Sequence, residues 1–410
     1  MAQRPKTEPS LGTPRSGSQQ GLRVRNRQLV LTTILNEGAA TQSELARSTG
    51  LSQGTISSLV KELVADRVVE TEAVVSSGRR ATLVSLKSDA QIVVGVDVGR
   101  THLRVATFNL RHELLGRKDF ALELGHSYTQ TLALAGECLT ELLEVSGHDR
   151  AAILSCVVGI PVSIDTYSMS VIQGSVLPTW AGVDLREVSE QHLGTPVTLE
   201  NDANLGALAH SVYDDTEAKN LVYIKIASGI GAGLVQDGRI YRSTSGLSGE
   251  IGHFQVFDAG TVCYCGNRGC LETIASTRSL VADFGRMRMN PEPTLSGLVA
   301  EVEARDPAVL RLIDDAGAAL GKTLAVLANL LAPDVIVIGG PLGSAAADLL
   351  EAARVAAHRQ ALPAVEASTN FKVSRFKNDA ELWGACALAI QIAGVRALGG
   401  GPLSSSITIK

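Results

Sequence analysis

The sequence predicts an α/β protein in which a winged helix-turn-helix module precedes a longer domain of alternating strands and helices. Helical spacing of apolar residues dominates positions 23–88, whereas apolar strands alternate with helices and glycine turns from Ile92 onward. The 40 glycines against 4% aromatic residues favour many tight turns and ligand-holding loops. We therefore predict a flexible tail at 1–22, a helix-turn-helix domain at 23–88, a large domain at 91–398 and a loose tail at 399–410.

The charge distribution points to a polyanion partner at one end of the chain. Residues 1–88 carry 12 lysines and arginines against 7 acidic residues, whereas residues 91–410 carry 25 against 34. A basic module on an acidic body suits nucleic acid, although a basic unstructured arm would give the same sums. The start of the chain is polar, and the most apolar stretch, 324–338, is interrupted by Pro333 and Asp334. We expect a soluble, cytoplasmic protein without a membrane span.

The module at 23–88 has the cap signals of a helix-turn-helix. Thr41-Gln-Ser-Glu44 is a capping box that opens one helix, and Gly50-Leu51 ends it. Ser52 then caps the recognition helix, which runs to about Asp66. Its apolar stripe is Ile56, Leu59, Val60 and Leu63. The residues left for contacts with bases and phosphates are Gln53, Gly54, Thr55, Ser57, Ser58 and Lys61.

A basic hairpin follows the recognition helix. Val68 to Val75 and Ala81 to Leu86 read as strands around the segment 76–80, which ends in Arg79 and Arg80. Two arginines at a hairpin tip are suited to a minor groove or to phosphates, as in the wing of a DNA-binding domain. The alternative is a packing module with a solvated basic hairpin, since helix-turn-helix patterns also occur without DNA.

Strand ends in the large domain carry polar side chains where open α/β sheets place ligand-binding groups. Asp97-Val-Gly-Arg-Thr101 offers a carboxylate, backbone N–H groups and a hydroxyl. Asp202, in Glu200-Asn-Asp-Ala-Asn204, is either a general base or a helix-capping aspartate. The glycine loop 227–233 either holds a phosphate or turns a hairpin.

The most specific signal is a set of metal-ligating residues. His253 is followed by Cys263, Cys265 and Cys270, and one imidazole with three thiolates completes a closed tetrahedral Zn²⁺ shell. Such zinc is structural, because no position is left for a reactive water. The alternative is a cluster of reduced cysteines beside a surface histidine.

Together these residues resemble the ROK family of repressors and sugar kinases, from about residue 23 onward. His253 with Cys263-x-Cys265-x4-Cys270 is the most distinctive mark, and Asp97-x-Gly99-x-Thr101, Asn201-Asp202, Gly229-Ile-Gly231 and Gly339-Gly340 match in order. The resemblance implies a two-lobed, actin-like fold (the ribonuclease H-like, sugar-kinase fold) with a sugar in the interlobe cleft. It assigns the sugar contacts to Asn201, Asp202, Glu250, His253 and Glu272.

The resemblance also separates two functions. Family kinases use the aspartate matching Asp202 to deprotonate the sugar hydroxyl, while family regulators carry an amino-terminal winged helix. Arg100 and Ala227-Ser228 replace small or glycine-type residues of the kinase phosphate loops, so ATP is not expected as a ligand. We predict a sugar-responsive regulator, a repressor in the first instance, with operator DNA and a monosaccharide or sugar phosphate as partners, acting as a homodimer or a tetramer. The alternatives are an ATP-dependent sugar kinase and a constitutive DNA-binding protein.

Overall fold

The computed structural model describes residues 38–65, 68–76, 79–87, 91–165, 171 and 177–396, with scattered helical positions between 22 and 34. By internal contacts the chain divides into residues 1–91 with 391–410, and residues 92–390. The two predicted tails lie outside the described residues, except for Leu22.

The amino-terminal unit contains the helix-turn-helix. Thr41 and Glu44 form the predicted capping box: the Thr41 hydroxyl accepts the Glu44 N–H at 3.3 Å, and the Glu44 carboxylate accepts the Thr41 N–H at 2.7 Å. Gly50 ends that helix with φ of 70°. A three-stranded sheet follows, in which β3 lies between β1 and β2. The elements are β1 (Ala40–Thr41), α1 (Gln42–Thr49), α2 (Gln53–Ala65), β2 (Val69–Ser76) and β3 (Arg79–Leu86).

The first lobe of the larger unit is built on a five-stranded sheet in the order β6-β5-β4-β7-β8. β4 to β6 are antiparallel, and β7 and β8 run parallel to β4. Every residue of β4 is buried, in keeping with its largely apolar sequence, in which Asp97 is the one charged residue. The elements are β4 (Ile92–Val98), β5 (His102–Asn109), β6 (Leu114–Ala121), α3 (Tyr128–Ser146), β7 (Ile153–Ile160), α4 (Leu185–Leu193) and β8 (Val197–Asn201).

The second lobe repeats this strand order as β11-β10-β9-β12-β13. In both lobes an antiparallel meander is followed by two parallel strands on the far side of the first strand, which is the topology that the resemblance implies. The strands are β9 (Asn220–Ile226), β10 (Ile230–Gln236), β11 (Arg239–Ile240), β12 (Val335–Gly339) and β13 (Asn370–Val373). The helices are α5 (Asp202–Tyr213), α6 (Glu272–Ala275), α7 (Thr277–Arg288), α8 (Leu295–Glu303), α9 (Pro307–Leu331), α10 (Ala345–His358), α11 (Pro363–Ser368) and α12 (Ala380–Arg396).

Each lobe has its own apolar core. In the first, β4, β5 and β7 pack against α3 around residues such as Leu132, Leu139 and the fully buried Trp180. In the second, β9 and β12 pack against the long helix α9, with Leu320 and Ile336 at the centre. The strand ends that emerge from these cores are held by rigid sheets, and they carry the polar residues described next.

Candidate functional site

A cavity of about 100 Å³ lies where strands β7, β8 and β9 end. Four of the five predicted sugar-binding residues line it: Asn201, Asp202, Glu250 and Glu272. The fifth, His253, is held beside it by the zinc-type cluster described below. The remaining lining residues are Pro161, Val162, Ser163, Lys225, Ala227, Ser228, Gly229, Ile230, Gly231 and Tyr264.

Asn201 and Asp202 occupy the junction between β8 and α5. Asn201 is the helix cap, because its side-chain oxygen accepts the N–H groups of Ala203 and Asn204 at 3.0 and 3.3 Å. Asp202 is the first helical residue; its Oδ1 accepts the Ala203 N–H at 2.7 Å, and its Oδ2 accepts from Lys225 at 2.8 Å. The capping role considered for Asp202 therefore belongs mainly to its neighbour.

The two glutamates differ in how firmly the protein holds them. The buried Glu272 carboxylate accepts the N–H of Ile230 at 3.1 Å and a hydrogen bond from Arg278 at 3.2 Å. It thereby fixes the hairpin turn at 227–229, so the glycine loop 227–233 turns a hairpin between β9 and β10. Glu250 is more exposed, accepts the Ser163 hydroxyl, and lies 3.7 Å from His253 Nε2. Glu250 therefore has more lone pairs available than Glu272 to accept a hydrogen bond from a ligand hydroxyl.

The histidine and the three cysteines meet as the spacing predicts. Their ligand atoms all lie within 4.8 Å of one another. The Cys265 and Cys270 sulfurs are 3.7 Å apart, and Cys263 Sγ is 3.5 Å from His253 Nδ1. Two thiolates on a tetrahedral Zn²⁺, with bonds of about 2.3 Å, would lie about 3.8 Å apart. The donor set and its spacing fit zinc.

His253 connects this cluster to the cavity. Its Nδ1 faces the thiolates, while Nε2 lies 2.8 Å from the Tyr264 hydroxyl and faces Glu250. A metal-bound histidine commonly donates its second N–H to such a neighbour. Metal binding would therefore fix a donor that points toward the cavity.

The turn after β4 is closed by side chains. The His102 ring covers Gly99, where an added Cβ would lie 2.1 Å from the ring. His102 and Arg104 both bond the fully buried Asp97, at 3.0 and 2.8 Å. Burial alone would raise the pKa of Asp97, but the His102 hydrogen bond and the charges of His102, Lys225 and Arg104 hold it well below its usual value.

Arg100 lies near the same turn, on the side of Glu272. Burial and the charge of Arg278 lower the pKa of Arg100, while Glu272 acts in the opposite direction. Arg278 thus donates to Glu272 at 3.2 Å, whereas Arg100 and this carboxylate act on each other through their charges. The sequence argument against ATP rests in part on Arg100. The structure adds the His102 ring, which covers the same turn.

Sequence reasoning missed the cation in the cavity wall. Lys225 lies in the buried strand β9, 2.8 Å from Asp202 and 3.2 Å from Glu381 of α12. Tyr223, two residues earlier on the same strand, donates to Glu381 at 3.1 Å. The available signal was a lysine inside the apolar run Leu-Val-Tyr-Ile-Lys-Ile. A charge at such a position requires a buried partner.

The predicted DNA-contacting residues share the outer face of α2, opposite its buried stripe. Gln53, Gly54, Ser58 and Lys61 are exposed, and Thr55 and Ser57 are half-buried. The Ser52 hydroxyl accepts the Thr55 N–H at 3.2 Å, which is the predicted cap. Arg23 donates to Ser58 at 3.3 Å. Ser58 is therefore bonded to a residue 35 positions earlier in the module.

The hairpin differs in extent from the prediction. β2 runs to Ser76 and β3 begins at Arg79, so both arginines lie on the strand rather than in the turn. Arg79 pairs with Ser76 and Arg80 with Val75 across the antiparallel ladder. β2 is as long as predicted, whereas β3 begins two residues earlier, because ladder hydrogen bonds join backbone groups and so continue through the polar residues Arg79 and Arg80. The Arg80 side chain is exposed.

Family models match both parts of the chain. Residues 93–392 match the ROK family, and residues 26–80 match the MarR family. The chain belongs to the ROK family. This confirms the predicted family and its two-lobed, actin-like fold behind a winged helix-turn-helix.

ROK relatives of this chain include both regulators and kinases. A putative xylose repressor of Caldicellulosiruptor sp. (strain Rt8B.4) is 28% identical over 380 residues, covering 89% of this chain and 95% of the relative. A glucokinase of Halalkalibacterium halodurans is 29% identical over 308 residues, covering 71% of this chain and 92% of the relative. The glucokinase match falls short of the full chain, whereas the repressor match nearly spans it.

The fold of this ROK protein matches a crystal structure of a ROK family transcriptional regulator, a homologue of an Escherichia coli Mlc protein. The TM-score is 0.77 at 24% identity, over 92% of this chain and all of that one. Among the helices of the described residues, none is long and apolar enough to cross a membrane.

Proposed function

We propose that this protein is a sugar-responsive transcription regulator, a repressor in the first instance, whose cleft binds a monosaccharide or sugar phosphate and thereby changes its affinity for operator DNA. The observation that carries the proposal is a sugar-type cavity joined in one chain to a winged helix-turn-helix. The repressor relative, which nearly spans the chain, supports it. Since operator DNA is the proposed partner, we expect the protein to act in the cytoplasm.

Hydrogen-bond chemistry supports a sugar as the effector. Asp202, Glu250 and Glu272 bring three carboxylates to one small cavity, and Asn201 adds an amide. Carboxylates accept hydrogen bonds from hydroxyl groups, and a sugar presents several of these in a fixed pattern. His253 Nε2 lies 2.8 Å from the hydroxyl of Tyr264, a cavity-lining residue, and so orients that hydroxyl on the side of Glu250. Zn²⁺, held by His253 Nδ1 and the three thiolates, would keep that side of the cavity in place.

The phosphate turn argues against ATP. A nucleotide phosphate must approach backbone N–H groups closely, and its Mg²⁺ needs a carboxylate that is free to interact with it. Here the His102 ring covers Gly99, and Asp97 is bonded by His102 and Arg104. We therefore propose a receptor without kinase activity, and an ATP-dependent sugar kinase with Asp202 as general base is the outcome that would replace it.

The exposed face of α2 supports recognition in a major groove. Gln53, Ser57 and Lys61 recur at helical spacing on that face, with Gly54 allowing close approach of the backbone. Arg80 on the hairpin adds a charge for phosphates or the minor groove. We propose that these residues act in pairs, in a homodimer or a tetramer, since two recognition helices about 34 Å apart read successive major grooves.

The test is DNA binding by the zinc-loaded protein, measured by fluorescence anisotropy on DNA from upstream of its own gene. d-Xylose, d-glucose and their phosphates are added in turn. We expect one of them to change the Kd for DNA about tenfold, a coupling of about 1.4 kcal/mol. By linkage, saturating DNA must change the affinity for that sugar by the same factor. Equal sugar affinity with and without DNA refutes the proposal.

Two variants locate the effect. Glu250→Gln removes one cavity charge, and we expect it to abolish the response to sugar while DNA affinity stays the same. Glu351→Gln is the matched control, because Glu351 is an exposed glutamate of α10 paired with Arg354. Sugar-dependent ADP formation that Asp202→Asn abolishes would instead establish the kinase.

A further inference from the structure

A largely buried lysine lines the cavity. Lys225 is flanked on β9 by the buried Ile224 and Ile226, and its side chain is 12% exposed. Its ammonium contacts Asp202 at 2.8 Å and Glu381 at 3.2 Å. Burial lowers the pKa of Lys225, but Asp202, Glu381 and Asp97 outweigh it and raise the pKa above the usual value. The lysine is therefore charged.

This contact changes what Asp202 can do. Its two oxygens accept from the Ala203 N–H at 2.7 Å and from Lys225 at 2.8 Å. Both oxygens of Asp202 therefore already accept donors of the chain itself, which leaves each a lone pair for a ligand hydroxyl but neither without a partner. A general base must take a proton from the sugar hydroxyl. An acceptor needs only a remaining lone pair, which each carboxylate oxygen still has.

The same ammonium competes with a divalent cation. Three buried carboxylates, Asp97, Asp202 and Glu381, act electrostatically on Lys225. Hard cations such as Mg²⁺ select sites of this kind, rich in carboxylate oxygen, and phosphoryl transfer from ATP uses them. With Lys225 among these carboxylates and Arg104 on Asp97, positive charge is already supplied from within the chain.

We propose that Lys225 is the built-in counter-ion of this cleft: it fixes Asp202 as a hydrogen-bond acceptor for sugar and occupies the place that a divalent cation would take. It is a positioning residue that separates sugar binding from phosphoryl transfer. The proposal deepens the sugar-binding function proposed above and rests on it.

The first test is Mn²⁺ binding, followed by electron paramagnetic resonance on the full-length, zinc-loaded protein. Lys225→Met keeps most of the length of the side chain and removes its charge. We expect Lys225→Met to gain one Mn²⁺ site at least about tenfold tighter than any in the wild type, because unpaired carboxylates remain. The double variant Lys225→Met/Asp202→Asn should lose that site. Equal Mn²⁺ binding by wild type and Lys225→Met overturns the proposal.

The second test is calorimetric titration with d-xylose and d-glucose, with and without Mg²⁺. Wild-type affinity should not depend on Mg²⁺, whereas Lys225→Met should bind about tenfold more weakly and recover in part with Mg²⁺. Lys372→Met is the matched control, since Lys372 bonds Asp214 and Asp215 and does not line the cavity. Its sugar affinity should be unchanged, and a loss equal to that of Lys225→Met would contradict a specific role.

A further variant tests the role of Lys225 even if Lys225→Met fails to fold. Lys225→Met/Glu381→Gln removes one positive and one negative charge, so it should fold even where the single variant does not. We still expect weaker sugar binding, because Asp202 lacks its partner; unchanged binding overturns the role. If the wild type binds neither sugar, the proposed function fails for them, while the Mn²⁺ difference still decides the counter-ion role.

Discussion

Replacing Cys270 by serine should abolish zinc binding and loosen the segment that carries the cavity glutamates. Cys270 is fully buried, and its sulfur lies 3.7 Å from that of Cys265. The four ligands span residues 253–270, so one ion would close a loop of about 18 residues. Closing a loop of that length in the unfolded chain corresponds to about 3 kcal/mol. We expect a loss of this size in the stability of the segment.

The assay combines zinc content by atomic absorption with urea unfolding in the presence and absence of a chelator. The wild type should hold one zinc per chain and lose stability with chelator, whereas Cys270→Ser should hold none and show no chelator effect. Cys138→Ser is the matched control, because Cys138 is a buried cysteine of α3 in the other lobe. One zinc per chain in Cys270→Ser would refute the ligand assignment.

Three further predictions concern stability. Burial lowers the pKa of His210 to about 4 from 6.5. The contribution of His210 to stability is therefore fully present above about pH 6.5, and about 3 kcal/mol of it is lost toward pH 4. Urea unfolding across this range should show a pH dependence of the free energy of unfolding that His210→Gln lacks. Gly249→Ala would place a Cβ 1.9 Å from the Ala232 carbonyl oxygen, at φ of 89°. It should lower the melting temperature far more than Gly238→Ala, which has open space at φ of 71°. Thr41→Ala removes the cap of α1 and should lower the free energy of unfolding of the amino-terminal unit by about 1 kcal/mol, measured by circular dichroism in urea.

Local signals in the sequence predicted local structure well. The capping box at Thr41 and the serine cap before α2 depend on residues three positions apart, and both are present. The zinc-type cluster could be predicted for the same reason, since its three cysteines lie within eight residues of one another in the sequence. The family and fold are confirmed. The residues assigned to sugar and DNA contacts, and the domain boundaries, stay predictions.

Long-range pairing could not be read in this way. Lys225 and Glu381 are far apart in the chain, and only the packing of α12 brings them together. The closure of the turn at Gly99 by His102 depends on a side-chain rotamer, which spacing does not encode. The second strand of the wing begins two residues earlier than predicted, because backbone pairing continues through the polar residues Arg79 and Arg80. These are effects of tertiary packing on residues whose local sequence is neutral.

The counter-ion role proposed for Lys225 gives a physical account of how a cleft of this fold can bind a sugar without transferring a phosphoryl group. A kinase cleft of this fold must leave carboxylates available to a metal ion, so its charge balance is completed only when Mg²⁺ and nucleotide bind. In this chain Lys225 and Arg104 complete that balance internally. Sugar binding then requires only hydrogen bonds to groups already fixed in place. A sensor needs that rigidity, because a ligand shifts an equilibrium only by the difference in its affinity for the two states. Mobile carboxylates would adapt to the sugar in both states and reduce that difference, whereas an Asp202 held by Lys225 cannot.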